Sequence, residues 1–214
     1  YTDMLLFIPS SFARRFKENK HVEVNPEIIR NTKHEDIHRV ICEHRFRKLI
    51  REKNYRVAPF SIKKKSNIYG LIFGSPNFRG LQKFLEICWK EDPVSGEASY
   101  NINKEYSYED TPLFAELVER EPTEKESNFI TDLLKKIDQS ETNNVELYSF
   151  ALENGFTPKI LRKILMELEK KDVIVANNPI DGSRIRNGGY KLNYQCFSKN
   201  EICSVFKLTG VQNE

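Results

Sequence analysis

Residues 144–176, NVELYSFALENGFTPKILRKILMELEKKDVIVA, carry the most informative local signals in this chain of 214 residues. The apolar spacing of residues 145–152 predicts an amphipathic helix, and Gly155 is placed to end it as a C-cap. Thr157 and Pro158 predict the start of another helix, because Thr is a favoured N-cap and Pro is favoured at the first helical position. We therefore expect two helices joined by a tight turn.

The residues on either side of this pair complete a larger pattern. An amphipathic helix is expected before it, around residues 129–137, and short strands are expected after it, at 173–176 and 190–192. The loop between those strands is basic at Arg184 and Arg186. Three helices followed by a hairpin with a basic tip are typical of a winged helix-turn-helix domain.

The second helix of such a motif enters the major groove of DNA, where its early residues reach base edges. Residues 157–191 hold eight basic residues against four acidic ones, a surplus that favours phosphate contacts. The cations predicted to contact nucleic acid in this domain are Lys159, Arg162, Lys163, Arg184 and Arg186. Winged helices also serve as protein-interaction modules, so protein docking stays open as an alternative.

The first half of the chain predicts mixed helices and strands. The elements expected there are a strand at 5–8, a helix over 34–53, a hairpin made of 56–62 and 68–74, and a helix over 79–90. Ser10 or Ser11 is placed to cap a short helix that follows the first strand and runs through Phe16, and Asn25-Pro26 is placed to start another. Trp89 is expected to be a core residue.

Charge is divided unevenly along the chain. Residues 39–83 hold 12 basic residues against 2 acidic ones, whereas residues 109–153 hold 12 acidic against 4 basic. Blocks this polarised favour interaction faces, although a solvated helix followed by a lysine-rich loop is the simpler alternative. The phosphate contacts predicted in the first half are Arg47, Lys48 and Arg51 on the helix, and Lys63, Lys64 and Lys65 at the hairpin tip.

Several strings in the first half carry a family resemblance. They are TDMLLFIPS (2–10), FARRF (12–16), FRKLIR (46–51), APFSI (58–62), YGLIFGS (69–75) and WKEDPVSGE (89–97). Over about residues 1–105 they resemble the bacterial three-Cys-motif partner proteins, which are methyltransferase-like proteins encoded beside a radical-SAM-type three-Cys-motif protein. The resemblance implies that a protein of that radical-SAM type is a partner of this chain.

Together with the winged helix-turn-helix pattern, this resemblance implies an α+β fold in two parts. Residues 1–110 would form the C-terminal part of a Rossmann-like methyltransferase-type domain, in which the last two strands pair as an antiparallel hairpin against an otherwise parallel sheet. Residues 111–214 would form the winged helix-turn-helix domain with a short C-terminal tail. The boundary between the two parts is expected within 109–126.

The resemblance also implies what this chain lacks. The family's Gly-rich SAM loop, the acidic residue after its second strand and its Asp-Pro motif would lie before Tyr1, so we expect a piece of a longer chain that holds no cofactor by itself. SAM binding would need the N-terminal half to be supplied. Pro9, Ser10 and Ser11 would then lie beyond the carboxyl end of a strand, where open α/β sheets bind ligands; a plain strand-to-helix turn is the simpler alternative.

Other kinds of site are poorly supported. His34, His38 and Cys42 recur every four residues, but no fourth metal ligand is identifiable and no metal is expected. Cys196 and Cys203 are expected to be packing residues. No recognisable arrangement of a nucleophile with a base, or of paired carboxylates, assigns catalytic residues, so the question of enzymatic activity stays open.

The sequence therefore predicts a nucleic-acid-binding component, of DNA or RNA, in a bacterial modification or defence system. Sparse cysteines favour the cytoplasm, and no apolar run approaches the ~18 residues of a membrane-spanning helix, so no membrane partner is expected. Two alternatives remain. One is a SAM-dependent methyltransferase whose cofactor-binding half lies upstream, and the other is a scaffold that docks proteins through the winged helix.

Overall fold

The computed structural model describes residues 2–18, 24–34, 36–46, 55–64, 67–97 and 122–210. The chain has a mixed α+β fold and divides into two compact units, Tyr1–Glu121 and Pro122–Glu214. The division falls inside the stretch 109–126. None of the helices within the described ranges has both the length and the apolar character needed to cross a membrane.

The first unit is organised around an antiparallel sheet. Its strands are β1 (Met4–Pro9), β2 (Arg56–Lys64) and β3 (Asn67–Ser75), in the order β1-β3-β2. Because β3 runs antiparallel to both neighbours, β1 and β2 point in the same direction. The predicted first strand and the predicted hairpin are both confirmed.

Four helices accompany this sheet in the described part of the first unit. They are α1 (Ser10–Arg15), α2 (Pro26–Asn31), α3 (Ile37–Ile41), which continues into a π-helical turn (Cys42–Phe46), and α4 (Phe78–Glu91). Asn25 caps α2 by accepting from the Glu27 amide, as expected for Asn before Pro. The second half of the predicted 34–53 helix lies outside the described residues.

The expected serine cap of α1 is wrong. Pro9 occupies the N-cap position, and no side chain caps the helix there. Ser10 is instead buried, and its hydroxyl donates to the carbonyl of Ile68 at 2.9 Å. The sheet brings Ile68 beside the end of β1, so the hydroxyl satisfies a carbonyl distant in sequence rather than an amide of its own helix.

Helices cover both faces of this sheet because successive strand side chains point to opposite sides. Ile72 packs with Ile29, Ile37 and other residues of α1–α3 in one apolar cluster. The ring of Phe73, its neighbour along β3, stacks on Phe84 of α4 with a centroid separation of 4.8 Å. Trp89 is buried at the end of α4, as predicted.

The second unit combines helices with a small sheet. Its elements are α5 (Glu124–Gln139), β4 (Thr142–Asn143), α6 (Asn144–Glu153), α7 (Pro158–Lys170), β5 (Ile174–Asn177), α8 (Tyr194–Ser198) and β6 (Val205–Leu208). The strand order is β4-β6-β5, with antiparallel pairing throughout. All three predicted helices are confirmed, and Thr157 caps α7 through the Ile160 amide.

Local capping accounts for the position of these helices. Thr123 and Asn143 each form a capping box with the glutamate three residues later. The N-cap side chain accepts from the amide of the glutamate, and the glutamate side chain accepts from the N-cap amide. Gly155 follows the end of α6 with φ +79°, a left-handed conformation that glycine adopts without steric cost. These signals involve residues only a few positions apart, so they can be recognised without knowledge of the tertiary packing.

The predicted strand at 190–192 is wrong. The partner of β5 is β6, which pairs Phe206 with Ala176 and lies in the stretch predicted to be a short C-terminal tail. Lys191 has φ +55°, which interrupts an extended strand. Tyr190 is nevertheless fully buried and packs edge-to-face on Phe206 at 5.3 Å, so its apolar character serves the core without a place in the sheet.

A buried histidine crosses the middle of the first sheet. His38 Nε2 donates to the Ile8 carbonyl at 2.9 Å, and its Nδ1 lies 3.5 Å from Ser61 Oγ. Ile8 and Ser61 both face Gly70 across the sheet. A Cβ at Gly70 would lie only 1.7 Å from His38 Cδ2, so the missing side chain makes the space that the ring fills.

Replacing Gly70 with alanine should destabilise the first unit by at least about 3 kcal/mol, at the upper end of the cost of overpacking. Trp89, the sole tryptophan of the sequence, lies in this unit and reports its unfolding in urea. Gly210→Ala is the control, because nothing lies within 4 Å of a Cβ there. The double variant Gly70→Ala with His38→Ala should lose less free energy of unfolding than the sum of the losses in the two single variants. A Gly70→Ala variant as stable as the wild type would contradict this packing.

The same histidine should make the stability of the first unit depend on pH. Burial lowers the pKa of His38 to about 4, whereas the unfolded residue titrates near 6.5, so the unfolded chain binds the extra proton between those values. Stability should fall by about 3 kcal/mol as the pH drops from 6.5 to 4, since each pKa unit corresponds to about 1.4 kcal/mol. Urea unfolding should show a weaker dependence in His38→Gln but not in His44→Gln. Equal slopes in wild type and His38→Gln would rule this out.

Candidate nucleic-acid interface

The N-terminal half of α7 presents cations opposite its buried face. Pro158, Leu161, Leu165 and Leu168 are buried, at the three- and four-residue spacing that places them on one side of a helix. The exposed cations on its other positions in this half are Lys159, Arg162 and Lys163. The predicted contact residues of this helix therefore share one accessible surface.

These cations lie in the first half of α7, where the dipole of the helix makes positive charge unfavourable. The first turn of α7 contains no acidic residue, and Lys159 lies in that turn. The amino end of a helix is partly positive, so added cations there are unfavourable and an added anion is favourable. The surface is thus electrostatically suited to an anionic ligand rather than to the stability of the helix.

The segment after β5 lies against the same side of α7. Gly188 has φ +68°, and a Cβ on it would be 2.8 Å from Met166 Sδ and 3.2 Å from Arg162 Cγ. Both of those helix residues are exposed. The close approach of the Gly188 backbone therefore joins the segment and the cationic helix face into one surface.

Arg184, a predicted phosphate contact, is paired within the chain. Its Nε lies 3.3 Å from Glu169 Oε1, and its guanidinium lies 3.8 Å from Asp172 Oδ1. The Tyr190 hydroxyl donates to the other oxygen of Glu169 at 2.6 Å. Burial, together with that hydrogen bond, raises the pKa of Tyr190, so the hydroxyl stays a donor. The positive charge of Arg184 is therefore largely compensated by these two carboxylates, which the sequence does not indicate.

Arg186 differs from Arg184. It is exposed, and like Lys159 and Arg162 it forms no ion pair with another residue in the described ranges. These three cations are the ones whose charge is least compensated on this surface. Lys163 is exposed on the same helix but has an interaction partner.

The turn after β5 exposes Ile180, which is not among the predicted contact residues. Asn178 N–H donates to the Ser183 carbonyl at 2.8 Å, which closes a narrow turn. Ile180 at this turn is 92% exposed. Asp181 accepts from the amide and hydroxyl of Ser183, and these hydrogen bonds lower the pKa of Asp181. The turn thus presents an apolar side chain beside a carboxylate. An isoleucine within an otherwise polar turn is the feature of the sequence that could have indicated this exposed apolar residue.

The other predicted contacts are in the first unit and are only partly described. Lys63 and Lys64 end β2, where their backbones pair with Ile68 and Asn67. Lys65 lies outside the described residues, as do Arg47, Lys48 and Arg51. A phosphate contact through these six residues stays a prediction.

The Ser10 side chain at the carboxyl end of β1 is engaged in hydrogen bonds within the chain. Besides its bond to Ile68, the Ser10 hydroxyl lies 3.1 Å from His34 Nδ1. His34, His38 and Cys42 have separate surroundings, since His38 contacts Ile8 and Cys42 lies in the apolar cluster. The hydroxyl of Ser10 therefore joins the end of β1 to the start of β3, while Ser11 is exposed.

Removing the hydroxyl of Tyr190 should weaken the second unit. Tyr190→Phe leaves Glu169 with one fewer partner and should cost about 2 kcal/mol, the usual size for a hydrogen bond to a charged group. Urea unfolding followed by circular dichroism would measure it. Tyr55→Phe, which removes an exposed bond to the Thr2 carbonyl, should change stability by less than about 0.5 kcal/mol. An equally small effect of Tyr190→Phe would mean that Glu169 does not depend on this donor.

Comparison with known proteins adds no relative from which a role could be transferred. No family model matches the chain, and no curated protein or solved structure matches it.

Proposed function

We propose that the second unit is a winged helix-turn-helix module that binds nucleic acid through α7 and the segment after β5. The observation that carries this proposal is the exposure of Lys159 and Arg162 on α7 beside the segment that contains Arg186, whose Gly188 packs against Arg162; none of these three cations forms an ion pair with another described residue. In this proposal the protein is a component of a bacterial modification or defence system of the three-Cys-motif partner type.

The order of elements supports the module. A helix, a short strand, two helices joined by a tight turn, a strand, the short helix α8 and a last strand follow one another from α5 to β6. The sheet order β4-β6-β5 places the last strand between the other two. Residues 178–204 would then form the wing, which is much longer than the hairpin loop expected from the sequence. In a helix-turn-helix the second helix enters the major groove, and here that helix is α7.

The charge on α7 and its surroundings supports a phosphate backbone as ligand. Phosphate neutralisation supplies most of the sequence-independent affinity of such proteins. Lys159 and Arg162 would contact phosphates or base edges from the helix, and Arg186 would contact the backbone from the wing. Because Glu169 and Asp172 hold Arg184, we assign Arg184 a positioning role in the wing rather than a direct contact.

The sheet of the first unit supports the resemblance to a methyltransferase-type Rossmann-like domain. β2 and β3 form an antiparallel hairpin, β1 runs parallel to β2, and helices lie on both faces. Leu5 and Phe7 of the edge strand β1 are more than half exposed. An edge strand with an exposed apolar face is consistent with a sheet that continues in a longer protein. In such a longer protein, SAM binding would depend on residues outside this sheet.

Fluorescence-anisotropy titrations with duplex DNA, single-stranded DNA and structured RNA, between about 50 and 300 mM salt, test the proposal. We expect micromolar or tighter binding that weakens steeply with salt. The triple variant Lys159→Ala, Arg162→Ala and Lys163→Ala should lower the salt slope on duplex DNA by about 2–3, since each phosphate contact contributes about 0.9. Arg186→Ala should weaken binding more than Arg184→Ala.

A triple variant of equal charge change provides the control. Lys135→Ala, Lys207→Ala and Lys199→Ala remove three cations from α5, β6 and the end of α8, and should leave the salt slope close to that of wild type. Equal losses in the two triple variants would show only a general charge effect. No binding to any of the three nucleic acids at the lowest salt would overturn the proposal and leave protein docking as the role of this unit.

A further inference from the structure

Two thiols and a carboxylate converge in the second unit, apart from the cationic surface. The Sγ atoms of Cys196 and Cys203 and a carboxylate oxygen of Glu201 all lie within 4.8 Å of one another. Cys196 is buried, Cys203 is half-buried and Glu201 is exposed. The Cys203 thiol lies 3.5 Å from Glu201 Oε1. No other function described above uses these side chains.

The backbone at the end of α8 brings Glu201 back to Cys196. Asn200 adopts φ +52°, the left-handed conformation that reverses the chain after a helix. This reversal lets the Glu201 amide donate to the Cys196 carbonyl at 2.8 Å. The two residues are therefore neighbours because of a closed turn, and their approach does not depend on side-chain rotamers alone.

A buried asparagine fixes the other half of the cluster. Asn144 Oδ1 accepts from the amide of Cys203 at 2.8 Å, and its Nδ2 donates to the carbonyl of Glu201 at 3.1 Å. Asn144 is 1% exposed. The backbone that carries Glu201 and Cys203 is thus held to α6, so the potential ligands are positioned by the core of the unit.

We propose that Cys196, Glu201 and Cys203 bind one thiophilic divalent cation of the zinc class. In a tetrahedral site with metal–sulfur distances of about 2.3 Å and metal–oxygen distances of about 2.0–2.2 Å, neighbouring ligand atoms are roughly 3.5–3.8 Å apart. The observed group needs only a small contraction to reach that size. Two thiolates and one carboxylate are all accepted zinc ligands.

The three ligands leave the fourth position to water. Glu201 and the half-buried Cys203 give the ion an entry path from solvent. Burial raises the pKa of the Cys203 thiol, so binding must displace its proton. The cation would replace the protons of both thiols, and these would be released to solvent. No oxidation or reduction is involved.

The bound cation would join α8 to the residues that precede β6. Those residues lie at the end of the segment 178–204 and lead directly into the central strand of the sheet. A ligand that binds only the folded state stabilises it. Metal binding should therefore raise the melting temperature of the second unit. None of the three ligands is among the cations proposed to contact nucleic acid, so variants of the two sites can be compared separately.

Titration of the reduced full chain with Co²⁺, a spectroscopic substitute for Zn²⁺, tests the site. A phosphine reductant keeps the four thiols reduced without adding a competing thiol. We expect one cobalt per chain, with the charge-transfer absorption of thiolate ligands, and its displacement by Zn²⁺. Cys203→Ser and Glu201→Gln should each weaken cobalt binding at least about 10-fold, because even outer-shell partners of metal ligands commonly cost that much.

Matched controls separate the cluster from the rest of the chain. Cys88→Ala removes a buried thiol of the first unit, and Glu167→Gln neutralises an exposed glutamate of α7; both should bind cobalt like wild type. Circular dichroism checks that each variant folds, and the half-buried Cys203 is the safer cysteine to change. The proposal is wrong if the reduced wild type binds no cobalt, or if Cys203→Ser binds it equally well. It is also wrong if air forms a Cys196–Cys203 disulfide while the reduced protein binds no metal.

Discussion

The second unit depends on the side-chain amide of Asn144, which is buried at the beginning of α6. Its oxygen accepts from the amides of Cys203 and Ser204, and its nitrogen donates to the carbonyls of Lys191 and Glu201. These four bonds use the full capacity of the amide group. A buried polar group left unpaired is costly, so the residues around 191 and 201–204 must approach α6 together.

This requirement links the start of β6, the end of α8 and the segment that lies on α7. β6 is the central strand of the small sheet, and both β4 and β5 pair with it, so the sheet cannot form unless β6 is in place. Tyr190 follows from the same arrangement, because it packs on Phe206 while its hydroxyl reaches Glu169. The segment that packs on α7 is therefore held by partly buried hydrogen bonds to Asn144 and Glu169.

In the first unit His38 has a comparable role with different chemistry. A neutral imidazole contacts Ile8 of β1 and Ser61 of β2 across the space left by Gly70 of β3, so one ring spans all three strands. Both devices place a hydrogen-bonding side chain in the core rather than at the surface. Such groups favour one arrangement of the backbone, because any other arrangement would leave them unsatisfied.

The sequence by itself determined the elements whose signals are local. Caps at Asn25 and Thr157, the turn at Gly155 and the apolar spacing of the helices all act within one or two helical turns, so they could be recognised without the fold. Exposure of Lys159 and Arg162 on α7 followed from the same spacing. The first-unit hairpin was equally local, since only a short lysine-rich turn joins its strands.

Tertiary structure alone decided which distant residues meet. The pattern of residues 190–192 predicts a strand, because an apolar run looks the same whether it enters a sheet or packs against one. The pairing of Arg184 with Glu169 is not visible in the sequence, because the two residues belong to different elements. Cys196 is buried as expected of a packing residue, but its approach to Cys203 depends on the left-handed turn at Asn200 and on the hydrogen bonds of Asn144. In each case the deciding energy comes from contacts between residues far apart in the chain, which spacing along a sequence does not encode.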